Sequence, residues 1–141
     1  MIKNIFFAAI LFSLVSCSDK ITVDALKGTF TGKFYYLPPS ESKMVSADAE
    51  VSFSDSRYTS KGNTGYVPAG GSGTFALENN QIVNFKDENM WTANFDWGLI
   101  LQGKYTYQVK GDSLILNRYF EPCANCSTER GTYQYRLKRS N

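Results

Sequence analysis

From Gly28 to the C-terminus, apolar and polar residues alternate with a period of two, the repeat of a strand with one dry and one wet face. Phe30, Gly32, Phe34 and Tyr36 share one face of the segment Gly28 to Leu37, with Thr29, Thr31, Lys33 and Tyr35 on the other. Ala49, Val51 and Phe53 alternate with Glu50, Ser52 and Ser54, and Arg57 to Lys61 reads as a short strand after an Asp55-Ser56 turn. Gly73 to Glu78 and Gln81 to Lys86 flank Asn79-Asn80, a pair that tolerates the positive φ of a tight hairpin. Leu99, Leu101, Gly103, Tyr105, Tyr107 and Val109 then share a face. After Lys110-Gly111-Asp112 the pattern resumes at Leu114 and Leu116, and it closes with Tyr133, Tyr135 and Leu137. Before Gly28, Thr22 to Lys27 is expected to form one short helical turn, and no later segment carries a helical period.

These are eight strands in sequence order. An open antiparallel sheet of that size leaves two unpaired edges, which closure into a barrel removes, so the expected fold is all-β, an eight-stranded antiparallel up-and-down barrel. A two-sheet sandwich is the alternative. The connections support the barrel. Asp55-Ser56, Asn79-Asn80 and Lys110-Gly111-Asp112 are tight, whereas Pro38 to Ser46, Gly62 to Ser72, Asp87 to Gly98 and Glu121 to Arg130 are long. In an up-and-down barrel, alternate connections share an end, so the long loops should gather at one mouth. Part of Met90 to Phe95 alternates loosely and could extend a strand.

The N-terminus follows different rules. Lys3 precedes an uncharged apolar run, Ile5 to Val15, far short of the ~20 residues a membrane-spanning helix needs but suited to a secretory signal. The run ends in Leu14-Val15-Ser16-Cys17, which resembles the bacterial lipobox. That resemblance implies cleavage after Ser16 and a lipid on Cys17, with two or three acyl chains holding the protein stably at a membrane. An ordinary signal peptide with a cysteine nearby is the plainer alternative. The expected organisation is a lipoprotein signal over 1–16, a lipidated cysteine and tether over 17–27, and a barrel over 28–141. Ser18 after the cysteine points, by resemblance to sorting rules, to the outer membrane of a Gram-negative cell envelope.

Leu26-Lys27-Gly28-Thr29-Phe30-Thr31-Gly32, the turn-linked pair Ile100-Leu101-Gln102-Gly103-Lys104-Tyr105 and Gly111-Asp112-Ser113-Leu114, and a last aromatic strand ending in Arg139 carry a further likeness. Over Leu26 to Lys138 the chain resembles the lipocalins, and more closely the lipocalin-like lipoproteins of Bacteroidetes-type bacteria. The resemblance implies binding of a small apolar molecule, a short turn plugging the closed end, and an arginine, Arg136 or Arg139, in the role of the one that lipocalins pack against their strand-one tryptophan. The chain departs from the family in having Phe30 where lipocalins carry tryptophan, and in lacking their long C-terminal helix.

Composition narrows the chemistry. Fifteen Lys and Arg stand against thirteen Asp and Glu, so the charge is close to balanced and no nucleic acid partner is implied. There is no histidine, which removes the commonest general base and zinc ligand. No serine sits in a Gly-x-Ser-x-Gly elbow, and Gly70-Gly71-Ser72-Gly73 lacks the helix a phosphate loop requires. The expectation is a non-enzyme with no catalytic residues, metal or cofactor.

Three groups remain. Cys123 and Cys126 form Cys-Ala-Asn-Cys, open to zinc, redox, reduced or disulfide readings; outside the cytoplasm a loop-stiffening disulfide is favoured. Tyr66, Trp91, Phe95 and Trp97 lie in long loops, where they either form a lid or binding surface or cap the core. Phe34, Tyr36, Phe53, Tyr58, Phe75, Leu101, Tyr105, Tyr107, Leu116, Tyr133 and Tyr135 face inward, either lining a cavity for an apolar ligand or filling a solid core. Two functions follow. The leading expectation is a membrane-anchored carrier of a small apolar ligand. The alternative is a module binding an envelope protein through its mouth loops, or inhibiting it, with a filled barrel.

Overall fold

A computed structural model of the chain describes residues 22–124 and 130–140. The signal segment, Cys17 and Cys126 lie outside the described residues. A four-residue helix, α1 (Val23–Leu26), leads into eight strands: β1 (Gly28–Leu37), β2 (Val45–Ser54), β3 (Arg57–Ser60), β4 (Gly71–Leu77), β5 (Ile82–Asp87), β6 (Gly103–Lys110), β7 (Ser113–Arg118) and β8 (Thr132–Arg139). They form one closed barrel in chain order, every neighbouring pair antiparallel. β8 returns to β1 in a register running from Phe30 opposite Arg139 to Leu37 opposite Thr132.

The long connections meet at one end and the tight turns at the other, as the spacing predicts. At the tight end α1 buries Leu26 completely. Arg139 donates to the carbonyls of Lys27 and Ala25 (2.8 Å to the latter) and lays its guanidinium over the Phe30 ring at 4.5 Å. Of the two candidate arginines, Arg139 is therefore the one that meets α1 and an aromatic ring, that of Phe30. Arg136, on the opposite face of β8, lies over Tyr35 outside.

Several boundaries differ from the alternation reading. β2 begins at Val45, inside the segment expected to be loop, because Tyr36 draws Val45 into register. β4 begins at Gly71, so part of the glycine-rich stretch is strand. Asn79 and Asn80 do not take a positive φ; instead the Asn79 side chain accepts from the Gln81 and Ile82 amides (2.8 and 2.9 Å) and closes the turn that way. Leu99 and Leu101 are not part of β6. That strand starts only at Gly103, whose φ of 77° breaks the extended chain before it. Met90 to Phe95 extends no strand.

The interior is crossed by aromatic rings. Phe53 on β2 meets Phe85 on β5, three strands round the wall, at 6.2 Å. Phe85 also touches Tyr58, Phe75 and Tyr105 at 4.8, 6.2 and 5.6 Å. From Tyr105 the contacts continue to Tyr135 at 6.3 Å and on to Phe34 at 4.6 Å. Contacts between strands that are not neighbours require side chains to reach across the lumen, so rings cross it.

Candidate functional site

The mouth is closed by the connection between β5 and β6. Its first turn is anchored on Asp87, whose carboxylate accepts from the Ser72 amide (2.9 Å), the Asn89 side chain (2.7 Å) and the Trp91 indole (2.6 Å). The chain then crosses the opening. Trp91 packs edge-on against Phe95 at 5.7 Å, and Phe95 lies flat on Tyr66 of the β3–β4 loop at 4.6 Å with the planes 3° apart. These rings tie two loops together.

Asp96 makes the second anchor. Oδ1 accepts from the Gly98 amide at 2.8 Å and caps a single 3-10 turn, Trp97–Leu99. Oδ2 accepts from the hydroxyls of Tyr36 on β1 and Tyr133 on β8, at 2.7 and 2.8 Å. Those two rings stack at 5.2 Å across the seam where the barrel closes. Burial works to raise the Asp96 pKa, but the two hydroxyls, the Gly98 amide and the Arg118 charge outweigh it and hold the carboxyl below its usual range. Burial first, then the Asp96 carboxylate, push both tyrosine hydroxyls well up. A Cβ on Gly98 would come within 2.6 Å of the Tyr133 ring, so only glycine lets the turn sit this close.

Beyond the 3-10 turn, Leu99, Ile100 and Leu101 are buried. Ile100 bridges to Gly70; the Ala69 amide donates to the Leu99 carbonyl (3.0 Å) and the Leu101 amide to the Gly70 carbonyl (2.8 Å). From below, the buried Tyr58 hydroxyl donates to the Leu101 carbonyl at 2.5 Å. This segment is an apolar stopper, hydrogen-bonded to the neighbouring loop and to the core.

All the expected interior residues point inward. Phe34, Phe53, Tyr58, Phe75, Tyr105, Tyr107, Leu116, Tyr133 and Tyr135 are buried, and Tyr36 is half-buried against the core. Leu101 is buried as part of the stopper rather than as wall. Of the loop aromatics, Trp91 and Phe95 are half-buried against the core, while Tyr66 is exposed on one side and Trp97 is 52% exposed. Exposed Met90, Phe120 and Tyr119 lie in the same mouth loops. Cys123, in the β7–β8 loop, is exposed.

Sequence reasoning missed three contributors. Phe85 is legible as an inward position in the alternation Val83, Phe85, but nothing in the sequence marks it as the ring on which four others meet. Asp87 and Asp96 look like ordinary turn aspartates, and nothing in their local sequence signals that they anchor the lid. The described clefts lie on the outer wall and are lined chiefly by outward-facing residues. Comparison with known proteins finds no matching family model, no matching curated protein and no matching solved structure.

Proposed function

We propose that this chain is a lipid-anchored envelope protein of the lipocalin-like kind, with the barrel a filled scaffold and the mouth surface binding another protein. The carrying observation is that rings span the lumen while Leu26 stops one end and Leu99–Leu101 the other. A carrier needs an apolar cavity of ~300–1,000 Å³ inside the wall, and large side chains occupy that space here. The mouth instead offers what recognition surfaces are rich in, exposed Trp and Tyr on a rigid support. In this reading Cys17 carries the lipid, anchorage is at the closed end, and the mouth faces away from the membrane. A Cys123–Cys126 disulfide would stiffen the β7–β8 loop. No catalytic step is assigned.

One observation favours the carrier. The Ser60 and Tyr135 hydroxyls are buried side by side in the interior, and beyond each other neither has a polar partner, leaving capacity that a guest could satisfy. Native mass spectrometry of protein extracted from its own membrane separates the two readings. A stoichiometric protein partner, lost on Trp97→Ala, is the expected result; a co-purifying small molecule in place of a partner overturns the module. Cys17→Ser should move the protein from the membrane to the soluble fraction, and retention at the membrane would refute the anchor.

A further inference from the structure

β2 is ten residues long and its neighbour β3 only four. On one side β2 is paired with β1 along nearly all its length, from Phe53 opposite Gly28 to Val45 opposite Tyr36. On the other side the ladder with β3 stops at Val51 opposite Ser60. Above that point two stand-ins continue it. The Lys61 amide donates to the Glu50 carbonyl at 2.9 Å, and the Asn63 side-chain amide donates to the Asp48 carbonyl at 2.7 Å. These carbonyls are two residues apart, so the even-numbered residues of β2 turn their backbone groups away from β1. Ser46 is the next in that series. Among the described residues nothing pairs with its backbone on this side.

The open stretch is accessible. Met44 and Val45 are 49% and 42% exposed, and a surface cleft of about 430 Å³ runs over the outer face of β1 and β2, from Thr31 and Lys33 across Asp48 and Glu50 to Lys61 and Asn63. The open amide and carbonyl of Ser46, next to an Asp48 carbonyl held only by a side chain, match one chemistry, an extended backbone.

We propose that the outer edge of β2 at Ser46 and Asp48 is a strand-addition site for an extended segment of a partner protein. The inference rests on the module reading and names the form its partner takes. The incoming strand pairs with Ser46 and replaces the Asn63 amide on the Asp48 carbonyl, while Met44 and Val45 give it apolar neighbours. A second copy of the chain fits less well: antiparallel pairing of two β2 edges turns one barrel upside down, against anchorage of both at their closed ends.

The test is selection of a phage-displayed library of random short peptides on the full mature chain, with amide exchange of the complex. Selected peptides should protect the Ser46 and Asp48 amides. Ser46→Pro removes only an outward amide, leaving the β1 ladder intact, and should weaken binding by about tenfold or more, the factor that ~1.4 kcal/mol represents. Asn63→Ala frees the Asp48 carbonyl and should strengthen binding, which keeps the test open if Ser46→Pro fails to fold. The proposal falls if no peptide is selected, or if binding is indifferent to both substitutions. A footprint on Tyr66 and Trp97 would also overturn it while sparing the module. A reversible dimer in sedimentation that Ser46→Pro dissolves would assign the edge to a second copy and overturn it likewise.

Discussion

The two ends of the barrel are both shut, by opposite means. At the closed end the seal is close in sequence to the wall it covers: α1 runs directly into β1, and a single arginine from the last strand locks it through two carbonyls and one ring. At the mouth the stopper lies in the middle of a long connection. It is held by carboxylates, aromatic stacking and backbone bonds to a second loop. A seal built on one arginine that ties the first and last strands to α1 should open only with global unfolding. A seal built on loop-to-loop contacts can open separately, because its bonds join two connections to each other and can break while the strand ladders stay paired. The difference teaches where recognition can reside: on the end that tolerates rearrangement, above a core that does not.

The substitution expected to cost most is Phe85→Ala, because that ring touches four others and supports both halves of the interior. A loss of about 3–5 kcal/mol in denaturant titrations is expected. A loss below about 1 kcal/mol would mean the lumen is not packed as described. Arg139→Ala should cost about 2 kcal/mol by removing two carbonyl contacts and the stack on Phe30, and Arg139→Lys should not restore it, since an ammonium cannot fork between the carbonyls. If lysine rescues fully, the closed end is held by charge alone.

Asp96→Asn should cost about 1 kcal/mol globally but accelerate amide exchange selectively at Leu99 and Leu101, exposing the mouth as the separable end. Exchange rising equally at Leu26 would erase the contrast between the ends. The pH dependence has a definite sign. The folded Asp96 pKa lies below its ordinary value, so the stability it contributes is present above about pH 4 and lost as pH falls below that. Asp96→Asn should flatten that acid limb, and an unchanged acid limb would contradict the role. The smallest effect on stability is expected for Trp97→Ala, within about 0.5 kcal/mol because the ring is half exposed, even though partner binding should be lost.

Alternation alone determined the strand count, the inward face from Phe34 to Tyr135, and the sorting of long and short connections to opposite ends. A period of two assigns each residue to a face, and antiparallel order assigns each loop to an end. It could not tell a lined cavity from a packed one, since the same tyrosines and phenylalanines serve both, and only the distances across the lumen decide. It also could not choose between Arg136 and Arg139. They lie three apart on a strand and so face opposite ways, and which of them meets α1 depends on where β8 joins β1. The tertiary structure likewise removed Leu99 and Leu101 from the wall, made Asp96 a lid anchor and left the β2 edge open, because each depends on which distant segment lies alongside.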